Sequence, residues 1–531
     1  TTNGDVGQGS MSVNSGARQK AGTTYMPTLM WRHNGPIWKA DFGGSYARST
    51  NHYRDIDKGY FRTTSAQRTN VTVAFNEIAG QIPGRITVHD GGNGAPVSPY
   101  SLSNYVINSG TSTPTEGSDL QRGLKANLAR DFQVRGVPFT IKVGAALQQW
   151  QRDMSGRSDT YSFVGADKIR TTTPSAAVVD DGAAIILDKI FSKRVAPWGF
   201  PRVQWPDGYA LWELYKQHPT YFTRDLNAEY RNAAMRSKYA AEVISSAYIR
   251  GDTALLGGRL KLVGGVRAEQ TNIEAEGALT DATRNYQRDA SGRVLRAANG
   301  TPLLIFPTTN ALAVSQLTFL QRGTHVEKEY LRLFPSLNAS FNLRENLIVR
   351  AARYFSVGRP DLNQYAGGLT LPDPDSDASN PANRIVVNNA AIKPWTAEST
   401  NARVEYYFEG VGQVSAGVFR RNYENFASSA IIRPGVDFFD LYGIDAATYG
   451  AYEVATQQNI EGIVRTTGFD VAYKQSLTFL PAWARGLSTF ANATISRASG
   501  PNAADFTPFA HKNINWGLSY NRGPFSFRFN T

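Results

Sequence analysis

The chain has 531 residues, a formal net charge of +12, no cysteine and a mean hydropathy of −0.36. The absence of cysteine excludes disulfide frameworks, thiolate metal sites and cysteine nucleophiles. No stretch reaches the roughly 18 apolar residues that a membrane-spanning helix requires. Lysine and arginine are scattered through turns and loops, which disfavours a nucleic-acid partner and leaves anionic ligands as the partners that the positive charge favours.

The predicted elements are mainly strands, because apolar and polar residues alternate with a period of two through most of the chain. In residues 120–134, Leu124 and Leu128 share one face, whereas Lys125 and Asp131 share the other. We count about sixteen strands, some of them within residues 59–90. The alternation recurs along the chain in residues 259–269, 331–342, 345–355, 403–409, 413–423, 487–496 and 513–522.

Connections between the predicted strands are alternately short and long. Short turns occur at Gly35-Pro36, Arg135-Gly136, Gly251–Gly258, Leu343–Asn346, Glu409–Gly412, Pro481–Gly486 and Arg522–Pro524. Long segments occur at 52–70, 90–118, 153–235, 272–327, 357–396, 427–461 and 498–511. Short turns on one side and long loops on the other are typical of outer-membrane barrels, whereas a globular sandwich does not tolerate so many long loops. The sequence therefore predicts an all-β, antiparallel, up-and-down transmembrane barrel.

Aromatic residues near the predicted strand ends favour girdles at the membrane interfaces, although aromatic enrichment in any strand is an alternative explanation. They are Tyr25, Trp31, Trp38, Tyr46, Trp150, Tyr248, Tyr354, Tyr406, Tyr407, Phe408, Trp483, Trp516 and Tyr520. Residues 209–241 break the pattern, because apolar spacings near three and four predict helix with an interruption at Pro219. This helix would lie in the longest extracellular loop.

Two groups of side chains are candidates for ligand contact. Aromatic residues in the longest loop can stack on sugars or flat ligands, and they can equally pack that loop onto itself. These loop aromatics are Trp198, Trp205, Tyr209 and Trp212. Polar strand faces would line the barrel interior, where they can contact a plug, water or substrate. These interior residues are Lys125, Asp131, Lys142, Lys261, Arg267 and Glu269.

Neither an enzyme nor a resident cofactor is predicted, because no hydrolase or transferase constellation is present. The six histidines are His33, His52, His89, His218, His325 and His511, and none pairs with another at metal-ligand spacing. The acidic run 373–377 could bind Ca²⁺, but it lacks the glycine and distal glutamate of a calcium loop, which favours a solvated loop tip. Residues 91–94 predict a turn rather than a phosphate cradle, because no helical pattern follows.

A resemblance to a known family is carried by residues 328–426. Leu331–Asn338 is followed by Val349–Ser356, and a later stretch, Val387–Trp395, precedes Val404–Phe408. This order resembles the second half of TonB-dependent receptor barrels, especially the subgroup common in Xanthomonas- and Caulobacter-like bacteria. Residues 242–270 are similar to the same group. The residues that match the family motifs are Arg359, Pro360, Lys393, Pro394, Glu405, Tyr406, Tyr407 and Phe408.

Mild departures from the family pattern put only the subgroup in question. Ala390 follows Asn389 where the family has proline, Ile392 replaces leucine, and Ser399 replaces asparagine. The resemblance implies a 22-strand barrel filled by a plug domain that contacts TonB through a short periplasmic box. We expect the plug and the closing strands to lie outside this sequence, so that residues 1–531 would form an incomplete barrel.

The resemblance also implies a function. An outer-membrane receptor of this kind captures a scarce nutrient at its extracellular loops and imports it by gating the plug with energy from the TonB–ExbB–ExbD complex. Outer-membrane lipids and lipopolysaccharide would surround it. Two alternatives remain open at this point, a passive porin-type diffusion channel and a surface-binding or structural barrel through which nothing passes.

Overall fold

The computed structural model describes residues 2–3, 5–174, 180–388, 392–408, 411–459, 461–500 and 510–531, without the side chains of Thr2, Asn3, Trp198 and Asn363. In chain order the strands are β1 (Thr2–Asn3), β2 (Gly9–Gly16), β3 (Gln19–Tyr25), β4 (Thr28–Asn34), β5 (Trp38–Arg54), β6 (Thr63–Ala79), β7 (Ile82–Asp90), β8 (Val106–Ser112), β9 (Thr115–Val134), β10 (Val137–Gly156), β11 (Asp159–Phe163), β12 (Phe222–Arg224), β13 (Lys238–Leu255), β14 (Leu260–Asp281), β15 (Phe319–Arg344), β16 (Leu347–Gly358), β17 (Leu369–Leu371), β18 (Ile385–Val387), β19 (Trp395–Phe408), β20 (Gly412–Glu424), β21 (Ala427–Ile432), β22 (Val454–Asn459), β23 (Val464–Ser476), β24 (Leu487–Ser499), β25 (Lys512–Arg522) and β26 (Phe525–Asn530). The α-helices are α1 (Gly208–Gln217), α2 (Leu226–Arg236), α3 (Ala311–Thr318), α4 (Leu362–Tyr365), α5 (Val436–Tyr442) and α6 (Ala446–Tyr449). None of the described helices is long and apolar enough to cross a membrane.

The long strands form the wall of the barrel, and each one pairs antiparallel with the next long strand in the chain. The pairing begins with β3 and β4, which both pair with β5 and form one crossing interrupted at Pro27, where the chain lacks a main-chain N–H. It continues through β9, β10, β13, β14, β15, β16, β19, β20, β23, β24, β25 and β26. The prediction of an antiparallel up-and-down barrel is therefore confirmed, with fourteen crossings in the described residues.

The two faces of the wall differ as the alternation predicts. On β9, Leu124 and Leu128 are 52% and 42% exposed, as lipid-facing residues of a barrel are. Asn127 lies on the opposite face, where its amide donates to Asp41 at 2.6 Å and accepts from the hydroxyl of Tyr248 at 2.7 Å. This second face is the lumen. Asp131 also lies on it and accepts from Lys39 at 2.6 Å.

Aromatic side chains sort between these two faces. Several of the predicted girdle residues lie exposed on the outer face, namely Trp31, Trp38, Tyr46, Tyr406 and Trp516. Tyr248 and Tyr407 instead lie on the lumen face, where Tyr407 donates to Glu405 at 2.8 Å. The girdle prediction is wrong for these two tyrosines, because a hydroxyl with a lumen partner gains a hydrogen bond that lipid cannot offer. It is also wrong for Trp150 and Tyr354, which the strand register places on the lumen face.

All long connections lie on one side of the barrel, which is the extracellular side in outer-membrane proteins. At the opposite end the turns are short, and Arg135-Gly136 forms a two-residue turn with φ of 51° and 80°, as hairpin turns of type I′ require. The predicted long segment 272–327 is too wide, because β14 extends to Asp281 and β15 begins at Phe319. The separate segments predicted at 52–70 and 90–118 belong to one connection between β5 and β9.

A second sheet, which we call the cap, lies on this extracellular side. Seven strands form it, namely β1, β2, β6, β7, β8, β11 and β12. The prediction of barrel strands within residues 59–90 is wrong, because β6 pairs with β1, β2, β7 and β8 rather than with the wall. A strand with one buried face has the same two-residue period in either sheet, so the pattern does not reveal its partners.

The cap has its own apolar core. Phe61, Leu102, Phe163 and Leu211 are at most 1% exposed within it, and each such side chain contributes about 1.5–3 kcal/mol through burial. The predicted helix 209–241 is two helices, α1 and α2, separated at Pro219, and its last residues belong to β13 instead. Asp207 and Asp225 cap the two helices by accepting main-chain N–H groups.

Candidate functional site

The mouth of the barrel is partly filled by the connection between β16 and β19, which bends inward. Its short helix α4 places Leu362 and Tyr365 against Ala240, Ile273 and Val326 on the lumen face of β13, β14 and β15. Tyr365 is only 4% exposed. The inward bend brings polar groups of a loop onto the inner wall, where a solute entering the barrel would meet them.

Arg359 joins this loop to the wall through charge. Its Nη2 lies 2.5 Å from Oε2 of Glu269, and its Nε lies 3.8 Å from Oε1 of Glu242, which is 6% exposed. Glu269 also accepts from Nε of Arg267 at 2.6 Å. Buried carboxylates are tolerated when they are paired in this way, so Arg359 neutralises the charge that would otherwise be stranded beneath α4.

Unsatisfied donors surround this ion-pair group. In the described part of the chain, the hydroxyls of Tyr330 and Tyr365 and Nε of Arg359 have no hydrogen-bond partner. Burial raises the pKa of Tyr365 far above its ordinary value, so this hydroxyl stays protonated and remains a donor. Three clustered donors favour an acceptor-rich group, either on a solute or on another polypeptide inside the lumen.

A second polar region, which we call the arginine wall, follows the lumen face of β16, β19 and β20. It consists of Arg350, Arg403 and Arg421. Nε of Arg350 lies 2.9 Å from Glu405, and Nη2 of Arg403 lies 2.6 Å from Asp470. These two arginines are therefore neutralised by neighbours on the same face.

Arg421 differs from the other two arginines of the wall. Its guanidinium stacks over the ring of Phe419, 5.0 Å from the centroid, and no carboxylate lies within ion-pair distance of it in the described residues. Together with Arg403, Thr494 and Asp470, these two residues line a lumen cavity of about 520 Å³. The cavity offers a flat cation and an aromatic ring, a combination suited to carboxylate- or phosphate-bearing solutes.

The motif residues carried over from the family resemblance fall into different places. Arg359 belongs to the ion-pair group at the mouth, with Pro360 next to it, and Glu405 supports the arginine wall. Tyr406 and Phe408 lie on the outer face with ring centroids 5.4 Å apart, whereas Tyr407 is on the lumen face. Lys393 and the buried Pro394 directly precede β19. The side chain of Asn459 makes two hydrogen bonds of 2.9 Å with the main chain of Lys393.

The loop aromatics belong to the cap rather than to the mouth. Trp205 and Trp212 pack against the cap core, and Trp212 stacks on Tyr215 at 5.2 Å. Tyr209 is 55% exposed and contacts Tyr60, with ring centroids 4.9 Å apart. The side chain of Trp198 lies outside the described residues. Of the three candidates with described side chains, Tyr209 therefore offers the most accessible ring.

The acidic run has partners of its own in the protein. Both carboxylate oxygens of Asp375 accept from Arg296, at 2.6 and 2.7 Å, and Asp377 accepts from Ser379. A separate group of side chains that could hold a metal ion lies on the outer face of the barrel. It consists of Glu274, Glu276 and His325, whose ligand atoms lie within 4.8 Å of one another. Adjacent strands bring them together, which the spacing of histidines along the chain could not reveal.

Sequence reasoning missed the arginine wall. Arg350, Arg403 and Asp470 lie on three non-adjacent stretches of the chain and meet only through the register of the strands. The alternation of side chains along each strand was a usable signal. If Glu405 faces the lumen, Arg403 must face it too, because the two residues are two positions apart on the same strand.

Comparison with known proteins gives the family. A family model described as TonB dependent receptor-like, beta-barrel matches residues 87–530. No curated protein matches the chain. Three similar solved structures are the unliganded ferric citrate transporter FecA (12% identity, TM-score 0.39, 98% of this chain and 64% of that chain), the ferripyoverdine receptor of the outer membrane of Pseudomonas aeruginosa bound to ferripyoverdine (12%, 0.40, 96% and 53%) and the closed form of the ferric-catecholate import receptor Fiu from E. coli K12 (12%, 0.41, 98% and 70%).

The chain spans less than two thirds of the first two of these receptors. The family model, by contrast, covers most of the chain, and the wall of the structure is a β-barrel, as the family description states. The family consists of outer-membrane transport receptors, which places this barrel in the outer membrane. The chain belongs to the TonB-dependent receptor family, of which it forms a β-barrel portion.

Proposed function

We propose that this chain is the barrel of an outer-membrane receptor that binds a scarce nutrient at its extracellular loops and inner mouth and imports it by energised gating of a plug. The observation that carries the proposal is the arginine wall, where Arg421 presents to a lumen cavity a cation that has no carboxylate partner among the described residues. The inward loop around Arg359 narrows the extracellular mouth of the same barrel, as a selective entry requires.

The partners follow from this function. TonB, energised by ExbB and ExbD, would act on a plug and a TonB box, and neither of these is assigned to residues 1–531. Outer-membrane lipids and lipopolysaccharide would surround the exposed aromatic face. The chain would perform no covalent chemistry and bind no nucleic acid, so its work would be binding followed by a change of conformation.

We further propose that the nutrient is anionic. The side chains of Arg421 and Phe419 can bind a carboxylate or phosphate through the guanidinium and a flat apolar part through the ring. Attraction of this kind is screened by salt, so uptake of an anionic probe should weaken as ionic strength rises.

Uptake by cells that make the protein tests both statements. The probes are ⁵⁵Fe-labelled ferric citrate, which is anionic, and labelled maltohexaose, which is neutral. We expect ferric citrate uptake that stops when a protonophore collapses the proton-motive force. Arg421→Gln should lower this uptake about tenfold at low salt, whereas Arg420→Gln, on the outer face of the same strand, should leave it unchanged.

The passive porin is the alternative that the same lumen could serve, because a water-filled pore also has charged walls. Vesicles that contain the protein would then swell in arabinose, and probe entry would not depend on cellular energy. A surface-binding barrel would hold probes at the cell surface without either swelling or energised accumulation.

A further inference from the structure

Asp181 occupies an unusual place in the cap, within the connection between β11 and α1. It is 1% exposed, and in the described part of the chain neither of its carboxylate oxygens has a hydrogen-bond partner. Its main-chain carbonyl accepts from the N–H of Ile107 at 2.9 Å, and Gly182 bridges to Val106 on β8. The position of Asp181 is therefore fixed while its charge is uncompensated, and an isolated buried carboxylate requires either a proton or a cation.

The charged groups that act on Asp181, Asp180 and Asp167, are also acidic. Oδ1 of Asp181 and Oδ2 of Asp180 each lie 2.6 Å from the position that a β-carbon on Gly165 would take, so the two oxygens converge over the same point of the main chain. Burial, followed by the charges of Asp180 and Asp167, raises the pKa of Asp181 to about 6. No basic group offsets this effect in the described residues.

The surrounding loop is arranged to hold these carboxylates in place. The N–H of Ala166 donates to Oδ2 of Asp180 at 2.6 Å, and the N–H of Ile169 donates to Oδ1 of Asp167 at 2.8 Å. Gly165 has φ of +66°, in the left-handed region that favours glycine, and any larger residue would collide with both oxygens. Each carboxylate keeps further lone pairs for another ligand.

We propose that Asp180 and Asp181 bind a divalent cation of the Ca²⁺ class and that this ion fastens the β11–α1 connection to the cap sheet. Ca²⁺ takes several carboxylate oxygens in a flexible geometry and accepts water in its remaining positions, whereas Mg²⁺ demands a near-ideal octahedron. Extracellular calcium modules have Kd values of about 10⁻⁴–10⁻³ M, and we expect the same range here. This site is separate from the lumen, so it does not depend on the transported solute.

Two other acidic groups must be distinguished from this site. Asp375 and Asp377 already have partners in Arg296 and Ser379. Glu274 and Glu276 are on the outer face of the barrel, close to His325. A double substitution Glu274→Gln with Glu276→Gln removes the second group without touching the cap and serves as the control.

The experiment is equilibrium dialysis of the chelator-stripped full chain in detergent against ⁴⁵Ca²⁺. We expect one saturable site, weakened at least tenfold by Asp181→Asn and also weakened by Asp180→Asn, and retained in the Glu274→Gln, Glu276→Gln control. Asn has the shape of Asp without its charge, so Asp181→Asn should fold. In chelator it should resist proteolysis of the cap better than the wild type, while only the wild type gains protection from Ca²⁺.

Three results would overturn the proposal. The first is the absence of saturable binding up to about 10 mM Ca²⁺, ten times the weakest Kd expected. The second is undiminished binding by Asp181→Asn. The third is loss of binding in the Glu274→Gln, Glu276→Gln control, which would assign the ion to the outer face.

Discussion

Arg350 and Arg403 stand directly opposite each other on neighbouring strands of the lumen wall. Like charges in this position destabilise a sheet, and here each arginine has a carboxylate, Glu405 for Arg350 and Asp470 for Arg403. The two carboxylates therefore offset the repulsion between the two arginines, and removal of either carboxylate leaves that repulsion uncompensated. Arg421, which has no such partner in the described part of the chain, is the side chain of the arginine wall that is available to a solute.

Glu405→Gln should lower the free energy of unfolding by about 1 kcal/mol, because it leaves the two opposed arginines unbalanced and replaces the charged acceptor of Tyr407 with a neutral amide. Urea unfolding in lipid vesicles measures the change. Combining Glu405→Gln with Arg350→Gln should recover part of the loss, whereas Glu345→Gln, in an exposed turn, should have no effect. Equal losses for Glu405→Gln and Glu345→Gln would show that the balance of the wall is unimportant.

Arg359→Ala should release the inward loop from the wall, because Glu242 and Glu269 lose their shared cation. The chain has no cysteine, so a single introduced thiol reports accessibility without background. In an Ala366→Cys background, where the site is 2% exposed, we expect maleimide labelling to accelerate at least tenfold on Arg359→Ala. Unchanged labelling would mean that packing of α4 alone holds the loop.

Leu211→Ala should destabilise the cap and spare the barrel. Leu211 is fully buried in the cap core, and truncation of such a leucine costs about 2–5 kcal/mol. Limited proteolysis should cleave the cap strands faster while the wall stays protected. Leu226→Ala, at a position 53% exposed, is the matched control and should behave as the wild type. Simultaneous loss of wall protection would show that cap and barrel unfold together.

The cap should lose stability in chelator as pH rises from about 4 to about 6, because the pKa of Asp181 is raised to about 6 in the folded chain. Below this window Asp181 is protonated in both states. Within it the unfolded chain releases the proton while the folded chain keeps it, and above it the loss is constant. The measured quantity is the difference in cap protection between wild type and Asp181→Asn, and a difference that does not change with pH would contradict the assignment.

The strands of the barrel wall could be predicted from the sequence because apolar and polar residues alternate along them with a period of two, as a sheet with two different faces requires. Residues 120–134 and β9 agree to within a few positions, with Lys125 and Asp131 inside as predicted. The cap was not predicted, because β6 alternates in the same way and pairing partners are decided by tertiary contacts. The predicted helix at 209–241 was correct in kind but continued past its end at Arg236, since Tyr239 and Ala241 fit either period.

The candidate site could be predicted only in part. Glu269 and Arg267 were placed in the lumen by alternation, and Arg359 was marked by the family motif, but their contact depends on a loop that bends inward. Asp180 and Asp181 carried no recognisable calcium pattern, because their partner Gly165 lies on an earlier part of the same connection. The face on which a strand residue lies follows from the two-residue alternation of the sequence, whereas the conformation of a loop follows from no such short pattern.

The most direct test of energised import is ferric citrate uptake measured with and without a protonophore in cells that make the protein. We expect saturable uptake that falls to background when the proton-motive force collapses and that drops about tenfold in Arg421→Gln but not in Arg420→Gln. Uptake that proceeds equally without energy, together with vesicle swelling in arabinose, would contradict it and assign the barrel to passive diffusion.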